Sequence, residues 1–193
     1  MSAYLDTSIS TLGFEIAGNS AKRAGMTLSI SEGVYLEGRN EIRLSPHSEI
    51  QLNGGTLKSI RWVDIFNNAT LNGSGRVDST LYNKGNLDIT KGDRGKAGKI
   101  VISGDYHQDE SGNLTVDLGH DTPLVVGGIA NLDGLVGLEI PKGTSLKKGR
   151  RMTLVKAASI VGNFSNANGI VKSGDQKFRI HYGATMVELE KLN

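Results

Sequence analysis

With 193 residues and 22 basic side chains against 20 acidic ones, the chain has the length for one ordinary domain with a continuous apolar core. Its net charge of +2 gives no overall field to draw it to nucleic acid or an anionic membrane. The absence of cysteine excludes disulfide staples, thiolate zinc sites and thiol catalysis, and no apolar run approaches the roughly 18 residues of a membrane helix. Twenty-six glycines against three prolines, about twice the usual ~7% share of glycine, describe a fold rich in turns.

The opening Met1-Ser-Ala-Tyr-Leu-Asp6 shows no charged segment followed by an apolar one, so no secretory leader is read there. The chain is expected to be a piece of a longer product, with Met1 supplying the start. From Met26 onward, short segments alternate apolar and polar residues and end at a glycine or a Gly-Asn pair. Such alternation, with frequent glycine and β-branched residues, is incompatible with helix and predicts strands. These are Met26–Ile30, Val34–Leu36, Glu41–Leu44, Glu49–Leu52, Thr56–Lys58, Trp62–Phe66, Ala69–Leu71, Arg76–Asp78, Leu81–Tyr82, Asn86–Ile89, Lys99–Ile102 and Asn113–Leu118. Within the last of them the leucines and Val116 face inward, and Thr115 and Asp117 face out. The basic stretch Lys91–Lys99, with four cations, is read as a solvated connection.

Two internal echoes point to a coil of stacked layers. Asn53-Gly-Gly-Thr-Leu57 and Asn72-Gly-Ser-Gly-Arg-Val77 lie about twenty residues apart. Lys84-Gly-Asn-Leu-Asp-Ile89 returns as Ser111-Gly-Asn-Leu-Thr-Val116, 27 residues later. Repeats of this period arise when each layer hides its inner face only against its neighbours, although a glycine-rich β-sandwich gives similar fragments. Near the end, Phe178–Tyr182 and Thr185–Glu190 alternate around Gly183-Ala184 and predict a hairpin with Ile180, Tyr182, Val187 and Leu189 on its core face. A hairpin there would cover the open end of a coil.

The serial order of these pieces carries a resemblance. Ala69-Thr-Leu-Asn-Gly-Ser-Gly-Arg-Val77, Leu81-Tyr-Asn-Lys-Gly-Asn-Leu87, Ile102-Ser-Gly-Asp-Tyr-His-Gln108 and Gly112–Leu118 are followed by Leu124–Gly134, Leu154–Phe164, Ile180–Tyr182 and Val187–Leu189. Over residues 50–190 this resembles the autotransporter-associated β-helical repeats and the autochaperone-like segment at the end of bacterial passenger domains. The resemblance implies an all-β fold: a right-handed parallel β-helix (β-solenoid) ending in a β-sandwich-like or hairpin cap. It divides the chain into β-helical rungs over 1–105 and a continuous capping segment over 106–193. It implies a secreted or cell-surface bacterial protein whose partners are upstream rungs or another domain of a longer chain. No ten-residue amphipathic strands of an outer-membrane barrel are present, so self-transport and membrane insertion by this segment are not expected.

The sequence holds few candidates for chemistry. Asp105, Tyr106, His107 and Asp109 form a cluster in which a lyase acid and base are conceivable. Asp105 and His107 can share a strand face, whereas Tyr106 points the other way. The plainer reading is a strand entering a turn at Asp109–Gly112 with Tyr106 packed inward. His120-Asp121 reads as a turn, and His47 and His181 fit no ligand pattern. Calcium-loop, phosphate-loop and nucleophile-elbow signatures are missing, so neither metal nor cofactor is expected. In Ile60–Phe66, alternation sets Trp62, Asp64 and Phe66 on one face and Arg61, Val63 and Ile65 on the other. If the first face is outside, it offers a sugar-stacking strip. The favoured function is a non-catalytic structural or adhesive stem, or a folding-nucleating cap, of a larger extracellular protein. The alternatives are a carbohydrate-binding accessory module of a polysaccharide-degrading enzyme, and a β-helix polysaccharide lyase or hydrolase.

Overall fold

The computed structural model describes residues 2–5, 9–11, 14–16, 25–90, 98–118, 122–140, 144 and 146–193. Most of the basic stretch (91–97), together with His120 and Asp121, lies outside them. With strands numbered in chain order, three parallel sheets form the sides of a β-solenoid. The first stacks β1 (Ser2–Leu5), β4 (Thr27–Ser31), the openings of β7 (Glu49–Ile65) and β8 (Thr70–Asn83), β9 (Asn86–Ile89), β12 (Asn113–Asp117) and β15 (Leu135–Glu139). The second stacks β2 (Ile9–Thr11), β5 (Tyr35–Gly38), the middles of β7 and β8, β10 (Ile100–Ile102), β13 (Leu124–Val126) and the end of β16 (Arg151–Lys156). The third stacks β3 (Phe14–Ile16), β6 (Glu41–Leu44), the ends of β7 and β8, β11 (Tyr106–Gln108), β14 (Ile129–Leu132) and β17 (Ser159–Gly162).

The apolar alternation sets this arrangement. Along the solenoid strands from β4 to β15, alternate side chains point into the coil and meet registered neighbours one layer away. On the first sheet Leu28, Ile50, Leu71, Leu87, Leu114 and Val136 form such a column, and on the second Leu36, Leu57, Val77, Ile102 and Val126 form another. All of them are buried. Each contributes on the order of 1.5–3 kcal/mol of apolar burial, most of it offset by the entropy of fixing the chain. The sequence echoes are register partners: Asn86, Leu87 and Ile89 pair with Asn113, Leu114 and Val116, and Leu57 pairs with Val77.

Segments predicted as separate strands join into β7 and β8, which turn corners without leaving the ladder. Gly73 makes one corner, with φ +99° and a position where a Cβ would lie 2.3 Å from the Leu52 carbonyl oxygen. Only glycine lets the backbones approach this closely.

On the third sheet the inward column reads Ile42, Val63, Leu81, Tyr106, Ala130 and Ile160. The fully buried Tyr106 fits because small Ala130 follows it. Its hydroxyl donates to Gln108 Oε1 (2.6 Å) and accepts from Asn83 Nδ2 (3.1 Å). The Gln108 amide then donates to the carbonyls of Gly112, Asp133 and Leu135 at 2.7–3.2 Å. This buried polar knot ties three successive corners together, and burial pushes the Tyr106 hydroxyl well above the ordinary phenol range.

Parallel stacking crosses the expected 105/106 boundary and continues to Gly162. Antiparallel pairing then takes over: β16 pairs with β20 (Met186–Lys191), β20 with β19 (Gln176–Tyr182), and β19 with β18 (Ile170–Ser173). The predicted hairpin is therefore present and wider than expected. Ile180, Val187 and Leu189 are buried in it, and Tyr182 is half-buried. Leu114, Val116 and Leu118, expected to face inward, are buried as well, and so are Val126, Leu132, Leu154 and Phe164.

Candidate functional site: the outer face of the third sheet

Because β6, β7, β8, β11 and β14 share one register, their outward residues also form columns. Arg43, Asp64, Tyr82, His107 and Asn131 follow one another along the coil axis. Trp62 stands two residues before Asp64, level with Glu41 and Thr80. Tyr82 and His107 stack face to face, with centroids 4.8 Å apart and planes 12° from parallel. The Asn131 amide lies 2.8 Å from His107 Nδ1, and donation to that nitrogen leaves the proton of a neutral ring on Nε2. Trp62 meets Tyr82 edge to face, at 6.3 Å and 87°.

The two aromatic rings, Asp64 and Lys84 line a hollow of about 220 Å³. Asp64 is only 8% exposed, and its Oδ1 has no hydrogen-bond partner among the described residues. The Lys84 ammonium stands 3.8 Å from that oxygen, too far for a direct hydrogen bond. Burial holds the Asp64 carboxyl above its ordinary range, against the opposing pull of Lys84 and Arg43; Glu41 adds to the rise. Arg43 is itself paired with Glu41 at 2.8 Å.

The sequence-predicted residues fall out unevenly. Trp62, Asp64 and Phe66 do share the outward face, but Phe66 meets the hollow only through Lys84, whose ammonium sits 5.3 Å from its ring centre. Tyr82 and Lys84 were not singled out by the sequence, and they complete the lining. Tyr106 points inward and His107 outward, as alternation requires. Asp105 precedes β11 in a turn, where its carboxylate accepts the Ile129 N–H at 2.7 Å. It holds backbone there instead of forming an acid–base pair with His107. Asp109 likewise caps its own turn by accepting from the N–H and hydroxyl of Ser111.

Other surfaces offer less. The outward side chains of the first sheet answer one another across layers: Thr27 donates to Glu49, Ser29 to Gln51, and Asn72 to Glu49. A wider hollow of about 480 Å³ on the second sheet, beside Lys99, Val125 and Lys156, has neither an aromatic nor an acidic residue among the described residues of its lining. Among the described residues, no group of three His, Asp or Glu is placed to hold a metal, and no helix is long and apolar enough to cross a membrane. No protein-family model matches the chain, and no curated protein matches its sequence.

Proposed function

We propose that this chain is a non-catalytic stem of a larger extracellular, surface-displayed bacterial protein, and that its last strands act as a folding-nucleating cap. The observation that carries this reading is the asymmetry of the two ends. At one end, the Asn166 side chain closes on the backbone of Val136 in β15, and the antiparallel β16–β20–β19–β18 sheet takes over where parallel stacking stops. The Tyr182 hydroxyl accepts the Phe164 N–H at 2.9 Å and fastens the cap to the last turn. At the other end, β1, β2 and β3 are paired through one edge to β4, β5 and β6 among the described residues. Further rungs or another domain would add at that edge, because a coil grows by nearest-neighbour burial.

Pulsed hydrogen exchange during refolding tests the capping role. Amides of residues 151–191 should gain protection before those of 27–65. Simultaneous protection, or the reverse order, would sink it. Deleting residues 145–193 should likewise slow refolding of the layers before them. Surface display is tested separately, by protease shaving of intact source cells followed by mass spectrometry for peptides of this chain.

A further inference from the structure

We propose that the hollow between Trp62 and Tyr82 is a subsite for one neutral hexopyranose unit of a polysaccharide chain lying along the third sheet. This goes beyond the stem reading and does not depend on it.

One carboxylate oxygen is orphaned. Where outward polar groups of the first sheet satisfy one another, Asp64 Oδ1 is buried and accepts no hydrogen bond among the described residues, its ion-pair partner Lys84 Nζ standing 3.8 Å away. A buried acceptor without a donor costs free energy, so a group that fits this gap binds with an advantage. The gap asks for an atom that donates to a carboxylate and accepts from an ammonium. A hydroxyl does both as water does, and a sugar supplies neighbouring hydroxyls on one rigid ring that can take a water's place. Because Asp64 and Lys84 offset each other's charge, the site asks for no charge on its ligand. A cationic ligand would have to displace Lys84 from the same carboxylate.

The shape of the hollow agrees. Trp62 and Tyr82 stand nearly perpendicular, at 87°, and give an apolar corner for the C–H face of a pyranose while its hydroxyls point to Asp64 and Lys84. At about 220 Å³ the hollow is smaller than the roughly 300–1,000 Å³ of a site that encloses a whole small molecule. It seats one unit of something longer. His107 and Asn131 continue the polar and aromatic strip from Tyr82 along the axis, with layers about 4.8 Å apart, so adjoining units have a surface to lie on.

Trp62 is the sole tryptophan, so its fluorescence reads the site directly. The intact chain is titrated with soluble glucan, mannan and galactan, and with polygalacturonate as an anionic control. At least one neutral polymer should give a saturable change that survives high salt. That polymer should bind about tenfold or more weakly to Tyr82→Ala and to Asp64→Asn. Circular dichroism checks each fold, and Lys84→Met replaces Tyr82→Ala if the latter loses its strand spectrum. The proposal is overturned if no neutral polymer alters the fluorescence, if only polygalacturonate does so and salt abolishes the effect, or if folded variants bind as tightly as the parent.

Discussion

The side-chain amide of Asn166 occupies the place a further strand would take beside Val136. Its Oδ1 accepts the Val136 N–H at 3.0 Å, and its Nδ2 donates to the Val136 carbonyl at 2.9 Å. A single side chain thus satisfies both backbone groups of one residue at the end of the first sheet, where unpaired groups would otherwise invite another chain. Asn166→Ala should cost about 1–2 kcal/mol and speed exchange of the Val136 amide. Asn166→Asp should cost more, because one carboxylate oxygen would then face the carbonyl it replaced a donor for. Hydrogen exchange at Val136 checks both; unchanged protection would contradict the pairing.

The buried knot beneath the corners gives a graded expectation. Tyr106→Phe removes one hydroxyl whose partners retain others, and should cost about 1 kcal/mol. Gln108→Leu removes a donor from the carbonyls of Gly112, Asp133 and Leu135, of which Gly112 keeps the Leu135 N–H, and it also removes an Asn83 contact; it should cost about 2–4 kcal/mol. Urea unfolding of the two variants should preserve that order.

Gly73→Ala combines a left-handed φ of +99° with a methyl group 2.3 Å from the Leu52 carbonyl oxygen. Neither the conformation nor the clash can be relieved without moving β7, so a loss of about 2–4 kcal/mol is expected. A variant within about 0.5 kcal/mol of the parent would show that the corner yields.

Asp64 predicts a pH dependence of stability. Burial raises its folded-state pKa above the unfolded value of about 3.9, so folding favours its protonated form. The resulting stability is complete below the unfolded pKa and is lost as pH rises through the folded one. Asp64→Asn keeps the shape and removes the titration. The urea midpoint of the parent, relative to this variant, should therefore fall as pH rises from about 4 through the folded-state titration of the carboxyl. A difference that stays flat with pH would count against a desolvated carboxyl.

Much of the architecture was legible in the sequence, because period-two alternation and glycine punctuation act within a few residues. The 27-residue echo even supplied a true register, Leu87 over Leu114. The corners hid the rest. From Thr70 to Asn86 the chain advances one layer in 16 residues, but from Asn86 to Asn113 it takes 27. No fixed period could therefore place Tyr82 over Asp64 or bring Lys84 beside both. Alternation correctly sent Tyr106 inward and His107 outward. It could not show that Asp105 belongs to a turn and is committed to the Ile129 N–H, which depends on a contact one layer away. The three-strand width of the end sheet was likewise concealed, since Ile170–Ser173 is too short and mixed to stand out as a strand.

The one-to-one register between layers makes the length of this molecule a quantised variable. Inserting or excising one full circuit changes its reach by about 4.8 Å and keeps the inward faces of the strands turned inward. Gaining or losing a single residue inside a strand instead turns a whole face inside out. Such a body can be extended over evolutionary time in uniform steps, without redesign of its interior.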